Sequence, residues 1–299
     1  MNNKNLKMII LAIINMALFG SLFPFIKIGY SVFRINTERI SDILVFASMR
    51  FALCGMLLCV LSFIRKEKIS KPRVKSVLSI TLMGLFAIVL HYAFTYIGLS
   101  LTDSSKTALL KQSGVLLYVC FAFLFVKDEK FSINKILGAI IGFCGIVAIN
   151  YGAKGSISFT LGDYFIIAAS FCSVIASILT KWVAQKNSSF WVVGISQFTG
   201  GIILLIAGLI MGGRIPEFSL KAVLVFAYIC AASIVGYCLW TYLQRNGDLS
   251  KLFIIKFAEP LFACVFGAVL LGEEIFKVQY LIAFVFISAG IFIGNKVKE

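Results

Sequence analysis

Two stretches of this chain read as copies of one another. One runs DSSKTALLKQSGVLLYVCFAFLFVKDEKF from Asp103, the other DLSKLFIIKFAEPLFACVFGAVLLGEEIF from Asp248. Laid together without a gap, they pair Asp103 with Asp248, Ser105 with Ser250, Lys106 with Lys251 and Lys111 with Lys256. Farther along, Glu129 meets Glu274 and Gly145 meets Gly290. Both copies are apolar enough to be membrane helices. A duplicated helical membrane chain folds as two repeats related by symmetry, and its ligand site lies between them. Few other features restrict the fold so tightly.

Composition places the repeats in lipid. Hydrophobic residues make up 60% of the 299-residue chain and charged ones only 14%, with a mean hydropathy of +0.99. Soluble domains hold about 45–50% apolar residues, so this chain has too few polar side chains to cover a water-facing surface. The net charge of +15 does not point to nucleic acid. The charges fall in short clusters between apolar runs and build no basic face. All eight cysteines lie inside apolar runs with no C-x-x-C pair. They read as small hydrophobes, and neither a disulfide framework, a metal site nor a cofactor is expected. The N-terminal MNNKNLKM and its long apolar continuation lack an A-x-A-like cleavage site, which favours an uncleaved first span.

A spanning helix needs about 20 mostly apolar residues. Ten such runs are expected, at 7–30, 42–64, 76–98, 105–126, 132–151, 161–184, 190–211, 219–243, 250–271 and 277–294. They lack the dyad alternation of a barrel, so the fold class is an all-α integral membrane protein. Its ten transmembrane helices form two five-helix repeats, residues 1–154 and 155–299. Five is odd, so the second repeat enters the membrane inverted, and the halves share a two-fold axis in the membrane plane. With the N-terminus inside, the inner segments hold more than twice as many Lys and Arg as the outer ones. Much of the excess comes from Arg65, Lys66, Lys68, Lys71, Arg73 and Lys75. Both termini are therefore expected on the cytoplasmic side of the inner membrane.

Several features resemble the drug/metabolite transporter superfamily, and within it the ten-helix EamA-type members. The first helix of each half ends in a Lys, as FGSLFPFIK at Lys27 and SILTK at Lys181. Arg50 lies just inside the second helix, and the fourth and ninth helices end at Asp128-Glu129 and Glu273-Glu274. Glu259-Pro260 sits within the ninth, followed by LLGE at 270–273. One departure is Gly114-Val115, where a Pro is common in the family, together with Lys111 nearby. The resemblance implies the ten-helix fold and a transporter of small metabolites. It does not fix the substrate, and export is its commoner direction.

The residues themselves point to the site. Ionisable groups at membrane depth cost a few kcal/mol each and usually face a bundle interior or a wet cavity. Lys111 lies about six residues, or roughly 9 Å, from the outer end of its helix, and Lys256 lies as deep from the inner face. As symmetry mates they would approach the midplane from opposite sides and cradle an anion; otherwise their stems snorkel to the interfaces. Glu259, three residues after Lys256 on the same face, is either an ion-pair partner or a proton or ammonium site. Pro260 removes the backbone donor to the Lys256 carbonyl, which would break the helix and free that oxygen. His91, the only histidine, suits a proton relay or a packing role. Tyr92, Tyr96, Tyr237 and Trp240 could build an aromatic wall, and Gln112 and Gln197 could line the path or bridge helices. Lys27 and Arg50 read mainly as structural or interfacial residues.

The sequence thus implies a non-enzymatic secondary transporter, exporting a carboxylate-bearing or zwitterionic solute such as an amino acid by alternating access. Its partners are that solute, the lipid bilayer and protons or a counter-substrate, and a homodimer is compatible with the chain. No P-loop, H-E-x-x-H or G-x-S-x-G motif is present. A passive facilitator and an exporter of cationic or aromatic drugs are the alternatives.

Overall fold

Helices are the only spanning solution for these runs, because each satisfies its own backbone polar groups without water. A computed structural model describes residues 3–65, 74–101, 110–125, 131–150, 160–272 and 278–295, and among them no strand occurs. The first half holds α1 (Asn3–Val32), α2 (Ile40–Ile64), α3 (Val74–Gly84), a π-helical turn at Leu85–Leu90, α4 (His91–Leu101), α5 (Ser113–Phe125) and α6 (Ile133–Asn150). The second half holds α7 (Leu161–Ala184), α8 (Ser189–Ile210), α9 (Leu220–Asn246), α10 (Leu249–Ile255), α11 (Ala258–Leu271) and α12 (Val278–Asn295).

Seven described stretches are long and apolar enough to cross a membrane: Leu6–Val32, Ile40–Ile64, Ser76–Gly98, Leu161–Ala184, Ser189–Ile210, Leu220–Asn246 and Leu249–Leu271. Two shorter apolar stretches, Ile133–Gly145 and Phe284–Gly294, fall in the expected fifth and tenth spans. Of the expected fourth span, only residues 110–125 are described. Asp103, Ser105, Lys106 and the pairs Asp128-Glu129 and Glu273-Glu274 lie outside the described residues. The chain is a multi-pass membrane protein, and its exposed side chains bear this out: Phe63, Leu224, Val269 and Phe292 are each more than 60% exposed. Asn15, Arg50, Gln197 and Ser233 are buried instead. Water-soluble folds do the reverse.

Polar residues start the helices where the apolar runs begin. Ser188 accepts from the Trp191 amide, Ser219 from Ala222 and Asp248 from Lys251, each as an N-cap. Thr160 and Asp163 form a capping box on α7, which satisfies donors that would otherwise be orphaned at the first turn.

Small residues then decide how closely the helices approach. The most extensive contacts are α2 with α8 and α6 with α12. A Cβ on Gly138 would stand 2.6 Å from the Gly294 Cα, and one on Gly290 would stand 2.6 Å from the Gly138 carbonyl oxygen. Backbone therefore touches backbone where α6 crosses α12. At the other crossing, Gly55 meets the Phe198 backbone and Gly201 meets Ala52. Without a hydrophobic force between helices in lipid, such close packing is a main source of association. The remaining contacts mirror each other between the halves: α1 packs on α9 and α11, and α7 packs on α4 and α5.

Both ends of the bundle are pinned. Lys135 at the start of α6 pairs with Asp248 at 2.6 Å. At the opposite end of α2, Asp42 accepts from the Arg214 amide at 2.9 Å, and Arg39 donates to the Gly212 carbonyl at 2.8 Å.

Candidate functional site

Two interruptions of regular helix face the bundle centre. The first is the π-helical turn Leu85–Leu90, which ends at His91. An extra residue in one turn rotates everything beyond it, and such turns often sit at functional sites. His91 Nδ1 donates to the Ala169 carbonyl of α7 at 3.0 Å. In the neutral ring this leaves Nε2 as an acceptor. The second interruption parts α10 from α11 at Lys256-Phe257, three residues before Pro260, as expected. The Lys256 carbonyl is not freed, however, because it accepts the Glu259 amide at 3.0 Å. A tightened turn replaces the bond that Pro260 forbids.

The side chains from these breaks converge. Lys111 is within electrostatic reach of both Glu259 and Lys256, and His91 within reach of both lysines. Glu259 is also within electrostatic reach of Tyr237. The expected face-sharing of Lys256 and Glu259 produces no ion pair between them among the described residues, since the helix breaks where their spacing was counted. Lys256 Nζ instead lies 5.9 Å from the Trp240 ring centroid and 5.7 Å from that of Phe253. Both lysines are half-buried. Ser170 of α7 holds the start of this region by donating to the Lys111 carbonyl at 3.2 Å.

Beside His91 in the chain, the Tyr92 hydroxyl meets that of Tyr237 at 2.7 Å. The His91 ring stands edge-on to Tyr92 at 5.1 Å, and Phe51 packs on Tyr92 at 4.9 Å. Tyr96 continues the row, 5.9 Å from Tyr92 and in electrostatic reach of Tyr30. Trp240 closes the other end and is 9% exposed. Gln112 is half-buried at the start of α5, and no side-chain contact joins it to this cluster among the described residues. Gln197 is buried in α8 with both amide atoms unpartnered, and so is Asn15 in α1.

Arg50 departs most from the sequence reading. Lys27 is exposed, in keeping with an interfacial role, but Arg50 is 3% exposed. Its guanidinium carbon lies 4.3 Å from the Phe51 ring centroid and 5.8 Å from that of Tyr92, inside the same cluster. No carboxylate pairs with it among the described residues, and its Nε–H has no acceptor. Burying a charge costs several kcal/mol even after relaxation, whereas a desolvated cation–π contact returns about 2 kcal/mol. The rings offset only part of the cost.

Among the described residues, the centre thus brings together an aromatic row, the basic side chains of Arg50, Lys111 and Lys256, one histidine and one carboxylate. Among the described residues, no group of His, Cys, Asp and Glu could hold a metal ion. A separate groove of about 350 Å³, lined by Ser188, Phe190, Cys238, Tyr242 and Arg245 among others, opens at the surface; its only charged residue is Arg245.

Comparison with known proteins agrees with this architecture. The chain is 27% identical over 277 residues to an uncharacterized inner membrane transporter, YedA, of Escherichia coli K12, covering 88% of this chain and 86% of that one. It is 25% identical to an uncharacterized transporter of Archaeoglobus fulgidus, covering 90% and 91%. A solved crystal structure superimposes with a TM-score of 0.78 at 14% identity, over 96% of this chain and 97% of the other, and supports the fold alone. The model of the EamA-like transporter family, whose members are transporters and not enzymes, matches twice, over residues 6–151 and 160–295. The chain belongs to the EamA-like transporter family.

Proposed function

We propose that the protein is an inner-membrane secondary transporter that moves a small solute bearing a carboxylate, with a zwitterion such as an amino acid the best fit. The observation that carries this reading is that Lys111 and Lys256 lie within electrostatic reach of each other and of His91, with Glu259 in reach of Lys111. A solute anion would offset the basic excess, and Glu259 would receive its ammonium group. The tyrosine row and Trp240 would pack its apolar part. The aromatic wall alone would also suit a cationic drug, but the Trp240 face already lies beside the Lys256 ammonium.

The architecture proposed for this work is two inverted five-helix repeats, 1–154 and 155–299, with both termini cytoplasmic. The two family matches and the mirrored helix contacts support it. Alternating access would then rock one repeat against the other about the central site. Cysteines placed at Lys154 and Lys277, in a cysteine-depleted background, should react with an impermeant reagent from outside the cell. Cysteines at Lys71 and Lys130 should react only after permeabilisation. External labelling at Lys71 would overturn the orientation.

Export is the proposed direction, driven by a proton or a counter-solute. Glu259 is the proposed proton carrier, because a carboxyl in a cation-rich cavity can release and regain a proton as its exposure changes. Glu259→Gln should abolish accumulation driven by a pH gradient while leaving exchange of labelled for unlabelled solute weakened but measurable, because the Gln carbonyl still accepts from the solute's ammonium and exchange needs no net proton movement. Loss of exchange as well would leave Glu259 a binding residue only. Retained uphill transport would move the coupling elsewhere, to His91 first.

A further inference from the structure

We infer that Arg50, together with the Tyr92–Tyr237 hydroxyl pair, forms the subsite that receives the solute's carboxylate, while Lys111, Lys256 and Glu259 hold the remainder of the polar head. The inference deepens the function proposed above and rests on its anionic-solute reading.

Three observations carry it. Arg50 is buried beside the tyrosines without a carboxylate partner among the described residues, and its Nε–H points to no protein acceptor. Its guanidinium lies over the Phe51 ring, which covers the π face and leaves the edge, where the N–H donors are, as the side available to a ligand. A planar fork of donors matches the two oxygens of a carboxylate better than a lysine ammonium does. The third observation is the hydroxyl pair itself. When two hydroxyls meet at 2.7 Å, one donates to the other, and the accepting hydroxyl keeps its own proton to give away. Arg50 is in electrostatic contact with both of these tyrosines, so the spare proton and the fork serve one small volume.

The test uses purified full-length protein and a fixed probe set: L-phenylalanine, L-leucine, L-glutamate and malate, each beside its methyl ester. Affinities are read by thermal stabilisation and confirmed by titration. Wild type should prefer at least one acid over its ester. Arg50→Gln should weaken that acid about a hundredfold, to the level of its ester, with ester binding unchanged. Arg50→Lys, which keeps the charge but loses the fork, should recover only part of the difference. If Arg50→Gln does not fold, the double variant Tyr92→Phe with Tyr237→Phe keeps the rings and should weaken the acid at least tenfold; an unchanged affinity there overturns the inference. An acid preference that survives Arg50→Gln but vanishes in Lys256→Gln removes Arg50 and leaves the anionic-solute reading standing. A wild-type protein that prefers no acid removes the reading and the inference together.

Discussion

Replacing Lys256 with Gln is expected to lower solute uptake into proteoliposomes about a hundredfold, with expression and gel-filtration profile close to wild type. Gln keeps hydrogen-bonding capacity and most of the stem, so packing against Trp240 and Phe253 survives; the charge does not. Lys256 stands at the break between α10 and α11 and faces the rings of both an adjacent turn and α9. Lys256→Arg restores charge with a longer, planar head and should be partly active. Full transport by the Gln variant would show that the lysine only fills space, and the anionic-solute reading would lose its main support.

Gly138→Leu should prevent recovery of folded, monodisperse protein. The added atoms would enter the backbone of α12, with the Gly294 Cα at 2.6 Å and the Gly290 carbonyl oxygen at 2.7 Å. A side chain could rotate away, but these backbone atoms can move only if the helices separate. Overpacking costs about 1–3 kcal/mol where neighbours yield, and a domain's whole stability is only about 5–15 kcal/mol. Separating α6 from α12 gives up one of the two most extensive contacts in the bundle. Gly138→Ala should be intermediate. Gly272→Ala serves as the control: a new Cβ there has no neighbour within 4 Å among the described residues, and at φ +67° it adds left-handed strain of about 1–2 kcal/mol. Normal yield of the Leu variant, measured by fluorescence-detected gel filtration, would contradict the close crossing.

Much of this was legible in the residues because membrane helices announce themselves by length and apolarity. Duplication adds a second, independent signal. The break near Pro260 was foreseeable from a missing donor, yet the fate of the Lys256 carbonyl was not. Which amide a freed carbonyl finds depends on how the next turn tightens, and that is set by packing. The π-helical turn before His91 leaves no mark of its own in the sequence: LFAIVL is an ordinary apolar run, and the turn follows from how α3 and α4 fit against α7 and α8. The depth at which Arg50 is buried is hidden for a related reason. Counting residues from a helix end gives depth along one helix and says nothing of what neighbouring helices lay over the side chain. Here α4 and α9 lay Tyr92 and Tyr237 beside it, and those residues are remote from it in sequence.

The proposed carrier moves its solute through one alternating site, as opposed to conducting it through a pore. Counterflow tests this most directly. Proteoliposomes are loaded with a high concentration of the unlabelled acid that binds wild type best and diluted into a trace of the same acid in labelled form. A carrier should take up the label far above equilibrium before it declines, and should take up little when the vesicles are empty. Uptake that rises in proportion to external concentration, equally fast into loaded and empty vesicles and with no overshoot, would contradict the account.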